Sequence, residues 1–223
     1  MEEDAFYAKE RQRMVDEQLI ERDIRDERVL EAMRAVPRHR FVLPEYRHMA
    51  YSDGPLPIGS GQTISQPYIV ALMTQLLRLK GDENVLEIGT GSGYQAAVLG
   101  YLAKQVHTIE RHSDLAEEAV GVLQGLGLSN VCVHIGDGSL GLKEYAPFQA
   151  ILVTAAAPDV PKALLDQLDE GGRLVVPVGG RMNQFLERWE RHGASFEQEL
   201  LVPVAFVPLR GRYGWNEERW EVY

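Results

Sequence analysis

The chain is short of cysteine, of long apolar runs and of positive charge. Cys132 is the only cysteine in 223 residues, so no internal disulfide and no thiolate metal cluster can form, and a reducing compartment, the cytoplasm, is the expected setting. The longest apolar stretch, residues 150–157, falls far below the ~20 residues of a membrane-spanning helix. The opening MEEDAFYAKERQRM mixes acids and bases without an apolar signal core, so neither export nor a membrane partner is expected. Lysine plus arginine number 23 against 33 acids, a net charge of −10, and no basic stripe with interleaved aromatics offsets this, which argues against nucleic acid as a partner. With 45% hydrophobic and 25% charged residues, the chain is expected to fold as a globular monomer that needs no metal.

Residues 5–36 carry Met14, Val15, Leu19, Val29, Leu30, Met33 and Val36 at three- and four-residue spacing, the period of two amphipathic helices ended by Pro37. Residues 37–66 are rich in proline and glycine and hold no sustained period. Such a length of irregular chain reads as a binding loop in preference to an exposed linker. A helix follows over residues 67–79, with Ile69, Val70, Leu72, Met73, Leu76 and Leu77 on its apolar face and Lys80-Gly81 closing it. NVLEIG, QVHTIE, NVCVHIGDG and QAILVTA then read as short buried strands separated by helices at 94–103, 114–126 and 160–168. RLVVPVG is a fifth strand, and FLERWER and ELLVPVAFVPL read as antiparallel strands. The fold class is therefore α/β: a doubly wound, mostly parallel Rossmann-like sheet with antiparallel C-terminal strands and an N-terminal helical and loop addition. It forms one domain over residues 1–223, with the helices and loop in 1–66, the cofactor-binding core in 67–180, and antiparallel strands and a tail in 181–223.

The first strand runs into Gly89-Thr90-Gly91-Ser92-Gly93 just before a helix. Glycines there let backbone approach a ligand, and free amides at the helix start offer donors. Taken alone the motif is weak, since Gly91 to Ala96 also fits a dinucleotide fingerprint. Glu110 ends the second strand about twenty residues later, where a carboxylate can accept from ribose hydroxyls. Glu87 interrupts an apolar strand and needs donors or a cation nearby. Asp137 and Gly138, after the third strand, suit an adenine amino group or a plain turn. Three acids at three strand ends favour a cationic cofactor over a pyrophosphate.

With LEIGTGSG, this core resembles the class I S-adenosylmethionine-dependent methyltransferases. The segments MVDEQL, VPRHRFV, LPIGSGQTISQP, VLEIGTGSGYQAAVLG, GDGSLG, VTAAAPDVPKALLDQL, GGRLVVPVGG and VPLRG resemble the protein-L-isoaspartate O-methyltransferase family over nearly the whole length, most specifically at Gln62 to Pro67 and Ala155 to Pro158. The resemblance implies that Thr63, Ile64 and Ser65 border the methyl-transfer site, that Ser65 is the active-site residue, that Glu110 holds the ribose, and that Asp137 and Gly138 line the adenine. It implies isoaspartyl proteins and peptides as substrates, S-adenosylmethionine as cofactor, and a methyl ester that collapses to a succinimide and so starts repair. Val70 departs from some members, which carry histidine there, and NEERWEVY lies beyond the resemblance as a frayed tail.

Local pattern offers competing readings. Ser65 precedes Pro67 and an apolar helix, which also makes it a ready N-cap. No G-x-S-x-G and no histidine spacing marks a covalent nucleophile. His39 and His48 read as solvated, Cys132 as a small buried residue, and Trp189, Trp215 and Trp220 as packing residues. A methyltransferase for another acceptor and a non-catalytic nucleotide-binding module are the alternatives.

Overall fold

The computed structural model describes residues 2–216 and Trp220. Helix α1 (Glu2–Met14) continues through a π turn, Val15–Leu19, and a 3-10 turn, Ile20–Arg22. Helix α2 (Glu27–Ala35) is capped by the Asp26 side chain, which accepts from the Arg28 amide. Residues 37–66 are more ordered than their composition suggests. Two 3-10 turns, Arg38–Phe41 and Pro44–Met49, lead to a hairpin of β1 (Leu56–Gly59) and β2 (Gln62–Ile64). Strands this short carry too few residues for alternation to be read. Helix α3 (Pro67–Leu76) comes next.

The main sheet has seven strands in the order β5-β4-β3-β6-β7-β8-β9. Strands β3 (Asn84–Ile88), β4 (Gln105–Glu110), β5 (Val131–Ile135), β6 (Phe148–Val153) and β7 (Leu168–Gly180) are parallel neighbours. β8 (Asn183–His192) and β9 (Ser195–Val204) extend the sheet antiparallel, each beside its predecessor. The observed architecture is the doubly wound, mostly parallel sheet with antiparallel C-terminal strands and an N-terminal helical addition. The chain runs outward from β3 to β5 and then returns to β6, so strand order reverses between β3 and β6. A crevice opens there at the carboxyl ends of the strands.

Helices α4 (Tyr94–Leu102) and α5 (Ser113–Gly125) make the first two crossovers. With the N-terminal helices they cover one face over a core that includes Val29, Met33, Val85, Leu99, Val106 and Leu123. The other face, with Leu86, Ile88, Ile151, Val153 and Leu174, is covered by Leu164 of a short helix and by Leu142 and Leu209 of loops. Only α6 (Lys162–Leu165) forms where a helix over 160–168 is expected. Pro161 fixes its start, and by Leu168 the chain is already paired with Phe148 of β6.

Two further expectations are corrected. Strand β5 is apolar in sequence, yet Cys132 is exposed and Ile135 is 61% exposed, because β5 is an edge strand with one side unpaired. His39 is half-buried and not solvated: its ring stacks on Tyr7 at 4.0 Å and its Nδ1 hydrogen-bonds the Tyr51 hydroxyl at 2.8 Å. His48 is exposed. Of the tail, residues 217–219 and 221–223 lie outside the described residues.

Candidate active site

The ends of β3 and β4, the loop after β6 and the β1–β2 hairpin enclose a cleft of about 410 Å³. Its floor is the glycine loop. Gly91 has φ +52°, and a Cβ there would meet Ile58 Cδ1 of the hairpin at 3.3 Å. A side chain there would crowd the hairpin, so glycine eases the close approach of backbone and hairpin. Gly89, Thr90, Gly91 and Ser92 line the cleft; Gly93 is buried beneath them and begins α4.

Glu110 lines the cleft and is 6% exposed. Its Oε2 accepts from the Gly91 amide at 2.9 Å, and its Oε1 from the amides of Arg111 and His112 at 2.8 and 3.0 Å. A carboxylate offers about four acceptor sites, so Oε2 keeps capacity toward the cleft. The same contacts lock the glycine loop to the end of β4.

Glu87 is placed otherwise than a cleft acid. It is fully buried and is not among the cleft-lining residues. Its Oε2 is bonded to Thr108 Oγ1 at 2.5 Å, Thr108 Oγ1 to Thr90 Oγ1 at 2.7 Å, and Oε1 has no partner among the described residues. Burial pushes its carboxyl up to about 8, against the Thr108 hydrogen bond and with the help of the Glu110 charge. At neutral pH the group is therefore largely protonated. Attraction of a cation by an ionised Glu87 is not what the geometry offers; the residue is a neutral hub under the loop.

This makes a pH prediction. The native state holds the Glu87 proton from about pH 4.5, where the unfolded chain releases it, up to about pH 8. Across that window the native state binds more protons than the unfolded one, so rising pH destabilises the fold by up to about 1.4 kcal/mol per unit. Glu87→Gln is expected to match wild type at pH 5 and to melt higher at pH 9. Calorimetric melting curves at both values check this, and parallel pH profiles for the two chains would refute it.

Asp137 has a different task from the one its spacing suggests. Its Oδ1 accepts from the Ser139 amide and hydroxyl at 3.0 and 2.7 Å, and its Oδ2 from the Arg212 amide at 2.8 Å. It ties the C-terminal segment to the turn after β5, while its neighbours Gly136 and Gly138 line the cleft. Of the three strand-end acids, only Glu110 faces the cleft.

A second cavity, also about 410 Å³, lies against the first and is lined by Pro55, Gln66, Ile69, Pro203 and Phe206 among others. Thr63, Ser65, Thr154 and Val207 line both. Ile64 lines the first cavity alone. Ser65 is half-buried, and its hydroxyl has no hydrogen-bond partner among the described residues. It is not the N-cap of α3: the cap is Gln66, without a side-chain bond, and Pro67 takes the first helical turn, where its missing N–H removes one donor that a cap would serve.

Several lining residues escaped the sequence reading. Thr154 Oγ1 donates to the carbonyls of Gly89 and Ile88 at 2.6 and 3.0 Å; a polar residue ending an apolar strand, as at Glu110, was the available signal. Val70, Tyr94 and Gln95 also line the cleft, as do residues 207–210 and Trp220. The last two groups come from the far end of the chain. The Ala156 amide donates to Val207 O at 2.8 Å and the Leu209 amide to Ala156 O at 2.7 Å, so the small residues of the AAAP segment seat the segment that follows β9. Trp215 is buried and meets Trp220 edge-on at 5.6 Å.

A glycine loop and an anchored strand-end carboxylate at the switch point of a parallel sheet define a Rossmann-like protein with a nucleotide-type cofactor site. The model of the protein-L-isoaspartate(D-aspartate) O-methyltransferase family matches residues 9–214, and the chain belongs to that family. It is 55% identical to the protein-L-isoaspartate O-methyltransferase of Roseiflexus sp. (strain RS-1), covering 96% of this chain and 98% of the relative. It is 57% identical to protein-L-isoaspartate O-methyltransferase 1 of Syntrophobacter fumaroxidans, covering 94% and 98%. Among solved structures, one protein-L-isoaspartate O-methyltransferase superposes with a TM-score of 0.83 at 28% identity, over 92% of this chain and 67% of that one. A Plasmodium falciparum chain named for the same activity, solved with S-adenosyl-L-homocysteine, superposes with a TM-score of 0.78 at 26% identity, over 90% and 98%.

Proposed function

We propose that this protein transfers a methyl group from S-adenosylmethionine to the α-carboxylate of L-isoaspartyl residues in damaged proteins and peptides, so that the ester closes to a succinimide and repair begins. The observation that carries the reading is the shared wall: Thr63, Ser65, Thr154 and Val207 line both cavities. A donor on one side and an acceptor on the other would meet at these residues. The cleft fits the cofactor: Gly89 and Gly91 line it without side chains, so a ligand can lie close to backbone, and Glu110 is held ready as an acceptor. When bound, S-adenosylmethionine supplies an electrophilic methyl group.

In this reading Glu110 accepts from ribose and the loop 89–92, whose Gly89, Thr90 and Gly91 amides are already bonded to Ile109 and Glu110, borders the amino-acid portion. Gly138 borders the adenine, with Asp137 holding the turn that carries it. Thr63, Ile64 and Ser65 orient the acceptor. The acceptor carboxylate is already ionised at neutral pH, so the protein needs no general base. Its work is alignment and exclusion of water, and alignment alone can contribute roughly 7–11 kcal/mol. Residues 1–66 supply the acceptor wall, 67–180 the cofactor core and 181–223 the closing strands of one domain. No helix among the described residues is long and apolar enough to cross a membrane, and the single thiol suits a reducing, cytoplasmic setting.

The test is a side-by-side assay on isoaspartyl and aspartyl forms of one peptide; equal transfer to both removes the repair reading. Ser65 gives a sharper one. As it caps nothing, Ser65→Ala is expected to shift stability by less than about 0.5 kcal/mol while lowering turnover roughly tenfold through lost alignment. Ser65→Asp brings like charge to the acceptor and is expected to lower turnover on the order of 10²-fold. Wild-type rates from the aspartate variant would remove Ser65 from the site.

A further inference from the structure

Arg38 is the most unusual charge in the fold. It is fully buried, and among the described residues no carboxylate pairs with it. Burial brings it down to about 10, partly opposed by Tyr94 and Tyr51, so it remains a cation at neutral pH. A guanidinium buried without an anion is costly, and an apolar side chain of similar volume would pack there more cheaply. Its Nη1 is buried without a hydrogen-bond partner among the described residues, so complete satisfaction does not account for it either.

What it holds does. Nε donates to the Ala50 carbonyl at 2.8 Å and Nη2 to the Ser65 carbonyl at 2.7 Å. Ala50 and Ser65 are the two stems of the loop whose β1–β2 hairpin walls the cofactor cleft. The guanidinium also lies over the Tyr94 ring, with Cζ 4.8 Å from the centroid, and Tyr94 opens α4 directly after the glycine loop. One planar fork thus touches both ends of the hairpin loop and the first residue of the cofactor helix.

We infer that Arg38 is a positioning residue for methyl transfer: by clamping both stems of the 50–65 loop against Tyr94, it sets Ser65 at the junction of the two cavities in register with the glycine loop. The inference rests on the reading of that junction as the transfer point. Lysine keeps the charge but cannot present two donors in a fixed plane to two separate carbonyls, so Arg38→Lys separates clamping from charge, and Arg38→Met removes both.

The experiment compares wild type, Arg38→Lys and Arg38→Met for melting temperature, S-adenosylhomocysteine affinity by calorimetry, and kcat and KM on an isoaspartyl peptide. Amide hydrogen exchange over residues 56–64 is followed in the same chains. For Arg38→Lys a clamp predicts cofactor affinity within about threefold of wild type, kcat lower by at least about tenfold, and faster exchange confined to the hairpin. Arg38→Met is expected to lose more kcat than Arg38→Lys. A lysine variant with wild-type kcat overturns the inference. So does a fall in kcat matched by equal losses in cofactor affinity and melting temperature, or failure of both variants to fold, since each leaves Arg38 a residue of the core alone. If the wild-type chain itself fails to methylate the peptide, the transfer reading is what falls, and hairpin exchange in the lysine variant still decides whether Arg38 clamps the loop.

Discussion

Glu110→Ala is expected to raise the dissociation constant for S-adenosylhomocysteine by at least about 100-fold and to lower the melting temperature as well. The carboxylate accepts three backbone amides, those of Gly91, Arg111 and His112. Hydrogen bonds to a charged group contribute roughly 1.5–3 kcal/mol each, and amides left without an acceptor add a desolvation cost. Loss of the ribose contact alone converts to tens-fold in affinity; release of the Gly91 amide also unlatches the loop on which the cofactor rests. The double effect separates this geometry from a free strand-end acid, whose removal would weaken binding and leave stability alone. Glu110→Gln should fall between, since the amide keeps one acceptor oxygen but turns an NH₂ group toward donors. Calorimetric titration and melting curves on the three chains check this. An unchanged dissociation constant in the alanine variant would end the assignment of Glu110 to the cofactor.

Gly91→Val should remove cofactor binding altogether. At φ +52° a β-branched residue pays a backbone penalty of about 1–2 kcal/mol or more. Its Cβ would stand 3.3 Å from Ile58 Cδ1 before the branch methyls are counted. Either the loop shifts, breaking the Gly91 amide contact with Glu110, or the hairpin is pushed off the cleft. In both cases the ligand-induced rise in melting temperature is expected to vanish. Gly91→Ala, which adds one methyl, should keep part of it. A full wild-type shift in the valine variant would show that the cofactor lies elsewhere.

The parts of the fold that could be read in the sequence are those with a long period or a strong local marker. Val85 to Ile88 and Val106 to Ile109 are buried strand runs, and the glycines that follow mark a close approach. Glu110 was legible as a cleft-lining acid because a charge ending such a run falls at the carboxyl edge of the sheet. Glu87 and Asp137 carried the same signal but do different work. Whether a carboxylate faces a cleft, lies under it or ties down a distant amide depends on where Thr108 and Arg212 fall in space, and neither is near in sequence. The exposure of Cys132 is not legible in the sequence, because strand composition does not tell an edge from a centre. The N-cap reading of Ser65 failed by one residue, with the helix entered at Gln66. Arg38 lies in the VPRHRFV segment of the resemblance, yet nothing local marks its role, since one arginine in a loop rich in them looks like any other until its burial is seen.

The wall of the cleft has a consequence for how the protein comes into being. Residues 60–65 precede the whole sheet in the chain, whereas residues 207–210 follow it, and both face the same space. The second group is held by main-chain bonds to Ala156, some fifty positions earlier. A growing polypeptide on the ribosome can assemble β3 to β7 and bury most of its core while the roof of the cleft is still unsynthesised. The cleft is thus complete only once residues 207–210 are in place, and a chain clipped just before Val207 would lose Leu209 from the core together with part of the cleft wall. Ligand-dependent protection against proteolysis would then report the seating of residues 207–210 against Ala156.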